Sequence, residues 1–181
     1  MSNKYFGGIV ENKVVVGDYD DDLKAVVTGT RDKVAEKMAD LRVADSMTEI
    51  FNLFRRCNRY IDETMPWVLA KDEASKDRLA TVLYNLVESI SYGAALLESF
   101  MPTTSKNTSM VEFDNLATFG NYKSGTKVTE KPQILFARLD EKEVMEKAKV
   151  LMEKQAASVK AANAAVEEDT VIDIEPKDEI T

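Results

Sequence analysis

Residues 71–102 read KDEASKDRLATVLYNLVESISYGAALLESFMP, and this stretch decides the fold. Its apolar residues recur at intervals of three and four, the spacing of a helix that buries one face. They are Leu79, Val82, Leu83, Leu86, Ile90, Ala94 and Leu97. Pro102 is expected to end the helix. The small residues Gly93, Ala94 and Ala95 predict close packing against a neighbouring element. The sequence therefore predicts a long central helix.

A second helix is predicted in residues 45–66, DSMTEIFNLFRRCNRYIDETMP. Ser46 and Glu49 have the spacing of a capping box, which would start the helix there. Pro66 is expected to end it, because a proline disfavours helical geometry in the residue before it. One buried face is predicted for the apolar residues Met47, Ile50, Phe54, Cys57 and Ile61.

A further helix is predicted at about residues 20–41, after an extended connector at residues 9–16. It begins among acids, which favour the positive end of a helix dipole. We interpret Asp20, Asp21 and Asp22 in this way, with a metal site as the alternative. The apolar stripe is Leu23, Val26, Val27, Val34, Met38 and Leu41. Residues 1–102 are thus predicted to form an antiparallel helix bundle of an all-α protein.

The remaining sequence predicts three segments of different character. Residues 103–138 contain Gly120, Gly125 and Pro132 and are expected to form an irregular segment that packs back on the bundle. Residues 139–166 predict a C-terminal helix, with Asp140 as its N-cap. Residues 167–181, EEDTVIDIEPKDEIT, are typical of a disordered acidic linker.

Composition excludes several classes of function. The chain of 181 residues has one cysteine and no histidine, which argues against a Cys/His zinc site and a histidine-based catalytic triad. No apolar run approaches the roughly 20 residues of a membrane span, so no membrane partner is expected. No glycine-rich phosphate loop or nucleophile elbow is present. The net charge of −8 counts against nucleic-acid binding. The segment RRCNR at residues 55–59 is consistent with either a local basic patch or a solvated helix face.

Trp67 is the only tryptophan, and it follows Pro66 where the second helix must break. From position alone, two interpretations are open. The indole either caps the bundle core or lies exposed, where it could stack on an unpaired base. Residues at helical spacing of three and four lead up to it, and their side chains suit contacts with single-stranded RNA or solvated salt bridges. These residues are Arg55, Asn58, Arg59 and Asp62.

Several stretches resemble the anticodon-binding domain of bacterial methionyl-tRNA synthetase, in the same order and over essentially the whole chain. They are NKYFGG at 3–8, NRYIDETMPWVLAKDE at 58–73, RLATVLYNLVESI at 78–90, LLESFMP at 96–102 and FGNYKSGTKV at 119–128. The element IDETMPWVLAK is the most specific of these. The resemblance implies an anticodon-binding helix bundle and recognition of the CAU anticodon of tRNA(Met).

The resemblance also implies roles for individual residues. Trp67 would stack on an anticodon base with Pro66 beside it, and Asn58 and Asp62 would line the same site. Lys4 matches a basic position near the anticodon backbone. Arg55 and Arg59 are not part of this match, but the helix face that they share with Asn58 and Asp62 offers arginine for phosphate or guanine. No residue of this chain would be catalytic or bind a metal.

The family's chemistry would lie outside these residues. The resemblance implies a ligase that charges tRNA with methionine using ATP and magnesium, with zinc in some members, in a catalytic domain that we expect before residue 1. We expect a cytoplasmic, monomeric fragment without a cofactor of its own, whose partners are tRNA(Met) and that catalytic domain. The alternatives are a stand-alone RNA-binding protein and a helical adaptor, and the adaptor requires a buried Trp67 and only internal salt bridges for Arg55 and Arg59.

Overall fold

The computed structural model describes residues 1–105, 111–132, 134–135 and 138–169. Seven α-helices are described in these residues, namely α1 Ser2–Phe6, α2 Asp20–Ala39, α3 Val43–Thr64, α4 Pro66–Leu69, α5 Lys76–Leu97, α6 Pro102–Ser105 and α7 Glu141–Asp169. Strands β1 Ile9–Val10 and β2 Thr126–Lys127 form one small antiparallel sheet. The chain divides into two compact units, Met1–Gln133 and Ile134–Thr181. None of the helices in the described residues is both long and apolar enough to cross a membrane.

Helix α5 lies at the centre of the first unit and is buried on nearly every side, in agreement with its apolar sequence. Helices α2 and α3 pack on it, and the core includes Leu23, Ile50, Leu53, Tyr60 and Val82, each fully buried. A Cβ at Gly93 would overlap the ring of Phe54 on α3. The predicted close packing at Gly93 is therefore confirmed, and the protein is predominantly helical as expected.

The predicted apolar stripes are wrong at three positions. Met38 is exposed at the end of α2, and Leu41 is exposed because it lies past that end, in the turn before α3. Ile90 is exposed although it lies in the middle of α5. The two residues before it, Glu88 and Ser89, are fully buried although they are polar.

The predicted capping box at Ser46 is also wrong. Helix α3 begins earlier, at Val43, after Arg42 at the N-cap position. The Ser46 hydroxyl lies inside the helix and donates to the carbonyl oxygen of Val43 at 2.7 Å. Arg42 Nε instead pairs with Asp45 Oδ2 at 2.7 Å across the first turn.

A buried carboxylate holds the segment that follows the bundle. Glu88 Oε1 accepts hydrogen bonds from the backbone N–H of Gly120 at 2.6 Å, Asn121 at 2.7 Å and Tyr122 at 3.4 Å. Beside it, Tyr84 Oη donates to the carbonyl oxygen of Tyr122 at 2.6 Å. These bonds fix residues 120–122 on α5, next to the strand pair.

The second unit contains α7, whose start agrees with the predicted cap. Asp140 Oδ1 accepts from the N–H of Lys142 at 3.0 Å and of Glu143 at 3.2 Å. The helix extends to Asp169, three residues past the predicted boundary at 166. Residues 170–181 of the predicted acidic linker lie outside the described residues.

Candidate functional site

The chain breaks its helical course at Met65, as the sequence predicts. Met65 caps α3 in the left-handed conformation, with φ 43° and ψ 61°, and its N–H donates to Ile61 O at 3.0 Å. Pro66 opens α4, where a helix needs no N–H donor and a proline is well suited. The Pro66 ring is buried, so it fixes the short helix that carries Trp67.

An exposed apolar cluster lies at this turn. Trp67 is 43% exposed, and Met65 and Val68 beside it are each 46% exposed. A large aromatic side chain accessible at a buried proline is a preorganised surface for stacking. The interpretation of Trp67 as a cap on the core does not agree with this exposure.

Two polar side chains with free hydrogen-bonding groups lie on the last two turns of α3, before Trp67. Asn58 and Asp62 are exposed, four residues apart and so on the same face of the helix. Neither has a side-chain hydrogen bond or ion pair within the described part of the chain. Their amide and carboxylate groups are therefore open to a ligand that reaches the turn.

Arg55 and Arg59 lie on the same helix and keep their guanidinium groups near the surface. Arg55 Nη1 donates to Asn52 Oδ1 at 2.6 Å. Arg59 Nε pairs with Glu63 Oε1 at 2.8 Å, while its side chain stays 76% exposed. Surface pairs of this kind contribute little to stability and exchange readily for other partners.

The predicted basic patch at RRCNR is smaller than its sequence suggests. The Arg56 side chain is only 10% exposed and pairs with Asp22 Oδ2 at 2.6 Å and Glu63 Oε2 at 3.0 Å. Arg56 thus ties α3 to the start of α2 and is not accessible to a ligand. The sequence could have indicated that Arg56 is less accessible than Arg55 and Arg59, because it lies next to Cys57 and one turn before Tyr60, which are both buried.

Lys4 lies near the same turn, although it is far away in sequence. It lines a cavity of about 210 Å³ together with Tyr5, Leu69, Ala70, Asp72, Glu73, Lys76 and Leu79. Glu73 is paired with Lys76 at 2.7 Å. The Lys4 ammonium group lies 5.2 Å from the Tyr5 ring centre. The structure therefore brings Lys4 next to the residues that follow α4.

Sequence reasoning missed a buried polar cluster at the base of the turn. Asp20 is 1% exposed and accepts hydrogen bonds from Tyr60 on α3 and Arg78 on α5. Burial alone would raise the pKa of Asp20, but the hydrogen bonds from Arg78 and Tyr60 outweigh it and hold that pKa below its usual value. Our interpretation of Asp20 as a dipole partner alone is too limited.

No group of three or more His, Cys, Asp or Glu side chains is placed to hold a metal ion within the described residues. The sequence supplies one cysteine and no histidine. Cys57 is buried, and burial raises the pKa of its thiol to about 11. Structural zinc sites are usually built from thiolate and imidazole ligands, a donor set that one buried cysteine cannot supply.

Comparison with known proteins identifies one family. The family described as the anticodon binding domain of methionyl tRNA ligase matches residues 10–157. The methionine–tRNA ligase of Clostridium tetani is 42% identical over 146 residues, which are 77% of this chain and 23% of that protein. The methionine–tRNA ligase of Clostridium perfringens is 36% identical over 187 aligned positions, 100% of this chain and 28% of that protein.

A solved structure supports the fold. The apo form of Mycobacterium tuberculosis methionyl-tRNA synthetase aligns with a TM-score of 0.69 at 24% identity and covers 77% of this chain and 30% of its own. At this identity the likeness concerns the fold alone. The chain thus spans about a quarter of the length of the curated relatives it matches.

Proposed function

We propose that this chain, which belongs to the anticodon-binding domain family of methionyl tRNA ligase, binds the anticodon loop of tRNA(Met) and reads its CAU anticodon. The observation that carries the proposal is the half-exposed Trp67 on a turn fixed by the buried Pro66. Stacking of one base on an aromatic side chain is worth about 1–3 kcal/mol. An indole already fixed in place stacks without the cost of ordering a mobile side chain.

Base selection is assigned to the polar residues on α3. Asn58 offers an amide that can both donate to and accept from the edge of a splayed-out base. Asp62 accepts hydrogen bonds only and repels an incorrect base that presents acceptors toward it. Their exposure and their unpaired side chains support these roles.

Positive charge for the RNA backbone would come from a few side chains around the turn. Arg55 and Arg59 approach from α3, and Lys4 approaches from α1 across the cavity beside Ala70. A phosphate would compete with Glu63 for Arg59, which is a small loss because that pair is solvated. The overall charge of −8 would limit binding of RNA that lacks the correct loop.

The family's reaction is the ATP-dependent attachment of methionine to its tRNA, and we propose that this chain supplies tRNA specificity to it. Its partners would be tRNA(Met) and a catalytic domain that holds ATP and magnesium. We propose that the chemical steps take place in that catalytic domain and that this chain binds tRNA without catalysing. We further propose that the chain acts as a cytoplasmic monomer.

The alternative of a helical adaptor is less well supported. It requires Trp67 to be buried, and the side chain is 43% exposed. It also requires only internal salt bridges for Arg55 and Arg59. Arg59 does pair with Glu63, but its side chain stays 76% exposed. The alternative of a stand-alone RNA-binding protein predicts that RNA binds at the same turn around Trp67 and through the same side chains.

A series of labelled RNA stem-loops tests the proposal. The first carries CAU, and three others each change one anticodon base. Binding is followed by the fluorescence anisotropy of the label at fixed salt, since salt alone changes affinity for RNA. We expect the CAU loop to bind at least about fivefold more tightly than each variant, since a mismatched edge contact costs roughly 1–3 kcal/mol. Equal affinity for all four loops would reject anticodon reading.

A further inference from the structure

The turn that carries Trp67 lies between two helices, and one side chain of each helix binds the carboxylate of Asp20. Tyr60, one helical turn before the end of α3, donates from Oη to Asp20 Oδ1 at 2.6 Å. Arg78, in the first turn of α5, donates from Nη2 to Oδ1 and from Nη1 to Oδ2, both at 2.7 Å. Residues 65–75, which include Trp67, connect these two helix ends. Asp20 therefore joins the incoming and the outgoing helix at the base of the turn.

The contact of Asp20 with Tyr60 and Arg78, called the Asp20 joint below, is buried, and it includes α2 as well as α3 and α5. Asp20 is 1% exposed at the start of α2, and its Oδ2 also accepts from the N–H of Gly17 at 3.2 Å. Arg78 Nη1 donates in addition to the carbonyl oxygen of Val15 at 2.8 Å. A planar guanidinium that binds a carboxylate through two hydrogen bonds fixes orientation as well as distance. The segment before α2 is thereby held on α5.

Tyr60 transmits this anchoring to the last turn of α3. The carbonyl oxygen of Tyr60 accepts from the hydroxyl of Thr64 at 2.6 Å. The Oη of Tyr60 also accepts from the side-chain amide of Asn85 on α5 at 3.2 Å. Thr64 is the final residue of α3, directly before Met65. A displacement of Tyr60 would change the position from which Met65 and Pro66 direct Trp67.

We propose that Asp20, through Tyr60 and Arg78, is the positioning residue that holds Trp67 in its RNA-binding orientation. This inference rests on the proposed anticodon recognition and adds residues that do not touch the RNA. Apparent affinity falls in proportion to the fraction of molecules in the binding-competent conformation. Loss of the joint should lower that fraction without removing any group that contacts a base.

The substitution Tyr60→Phe removes one hydroxyl and keeps the ring in the core. The matched control is Tyr84→Phe, which removes a hydroxyl that is also buried and also bonded at 2.6 Å, but to the loop carbonyl of Tyr122. Each variant is measured twice. Trp67 fluorescence anisotropy without RNA reports the order of the indole, and titration with the CAU stem-loop reports affinity.

We expect Tyr60→Phe to lower the anisotropy of Trp67 and to weaken CAU binding by about threefold to tenfold, the factor by which the competent fraction falls. Tyr84→Phe should leave both values as in the native chain. A general loss of stability would affect both variants alike, so the difference between them is specific to positioning. If Tyr60→Phe does not fold, Arg78→Lys replaces it, because lysine keeps the charge but not the two-bonded geometry.

The two proposals fail in different ways. Native selectivity for CAU with unchanged anisotropy and affinity in Tyr60→Phe would overturn the positioning role and leave anticodon recognition intact. No selectivity in the native chain would overturn anticodon recognition. In that case the anisotropy of Trp67 without RNA decides whether Asp20 orders the indole. A value for Tyr60→Phe equal to that of the native chain would overturn the positioning role as well.

Discussion

Pro66 and Trp67 are consecutive residues with opposite surroundings, since the Pro66 ring is buried while 43% of the Trp67 surface is exposed. The buried ring anchors α4 in the bundle, and the next residue presents its indole to solvent. The left-handed Met65 ends α3 and turns the chain, so that α4 starts with Pro66 packed inward and Trp67 facing solvent. The break in the helix is therefore what makes the aromatic surface available.

The first prediction concerns the contribution of the indole to binding. Trp67→Ala should weaken binding of the CAU stem-loop by about 1–3 kcal/mol, because a stacking surface is lost. The control is Phe51→Ala, which removes an aromatic ring of similar exposure, 44%, from the first half of α3. Titration of both variants with the same RNA checks the prediction. Equal losses in the two variants would argue against a specific stack.

The second prediction separates two neighbouring arginines. Arg56→Ala should lower the free energy of unfolding by about 3 kcal/mol, because it leaves the largely buried Glu63 without its inner partner. Arg59→Ala should cost less than about 1 kcal/mol, because its side chain is 76% exposed. Urea unfolding of both variants measures these values.

RNA binding should show the opposite order for the same pair. Arg59→Ala should weaken binding and reduce its salt dependence, whereas Arg56→Ala should change neither under conditions in which it is folded. A loss of affinity confined to Arg56→Ala would contradict the assignment of Arg59 to the RNA backbone.

The third prediction concerns acid stability. The pKa of Asp20 is held below its usual value, so its ionised form stabilises the folded state. Such a group contributes fully at pH values above its unfolded pKa of about 3.9, and the contribution is lost as pH falls through the lower folded pKa. The native chain should therefore lose stability below about pH 4 more steeply than Asp20→Asn, which cannot titrate there. Parallel stability curves of the two proteins in this range would contradict the assigned ion pair.

The fourth prediction concerns the loop held by Glu88. Glu88→Ala leaves the N–H groups of Gly120 and Asn121 without their acceptor and should destabilise the chain by about 3 kcal/mol. Glu88→Gln keeps a carbonyl oxygen for these donors and should cost less. Hydrogen exchange should show lost protection at residues 120–122 in the alanine variant. Full protection in that variant would mean that other contacts hold the loop.

Local sequence signals predicted much of the fold. The helix break at Pro66 and the cap at Asp140 follow from the chemistry of single residues, and the structure has both. The apolar stripe of α5 follows from periodicity, apart from Ile90. Periodicity does not show which element covers each face, and it therefore assigned Ile90 to the core and gave no sign that Glu88 is buried.

Contacts between distant parts of the chain could not be predicted. Asp20 and Arg78 are 58 residues apart in sequence, and no local pattern links them. Pairing of Ile9 with Lys127 is likewise set by tertiary structure. The candidate site shows the same division. Its aromatic residue is marked by the proline beside it, whereas the buried cluster that supports it becomes visible only in the folded chain.

The most direct test of the central claim uses the single tryptophan. The chain is titrated with the CAU stem-loop while Trp67 emission is recorded, and the titration is repeated with the first anticodon base changed. Strong quenching by CAU with weak quenching by the variant is the predicted result, because a base stacked on the indole quenches it only when that base is held in place. Absence of quenching at RNA concentrations that saturate binding would contradict the account.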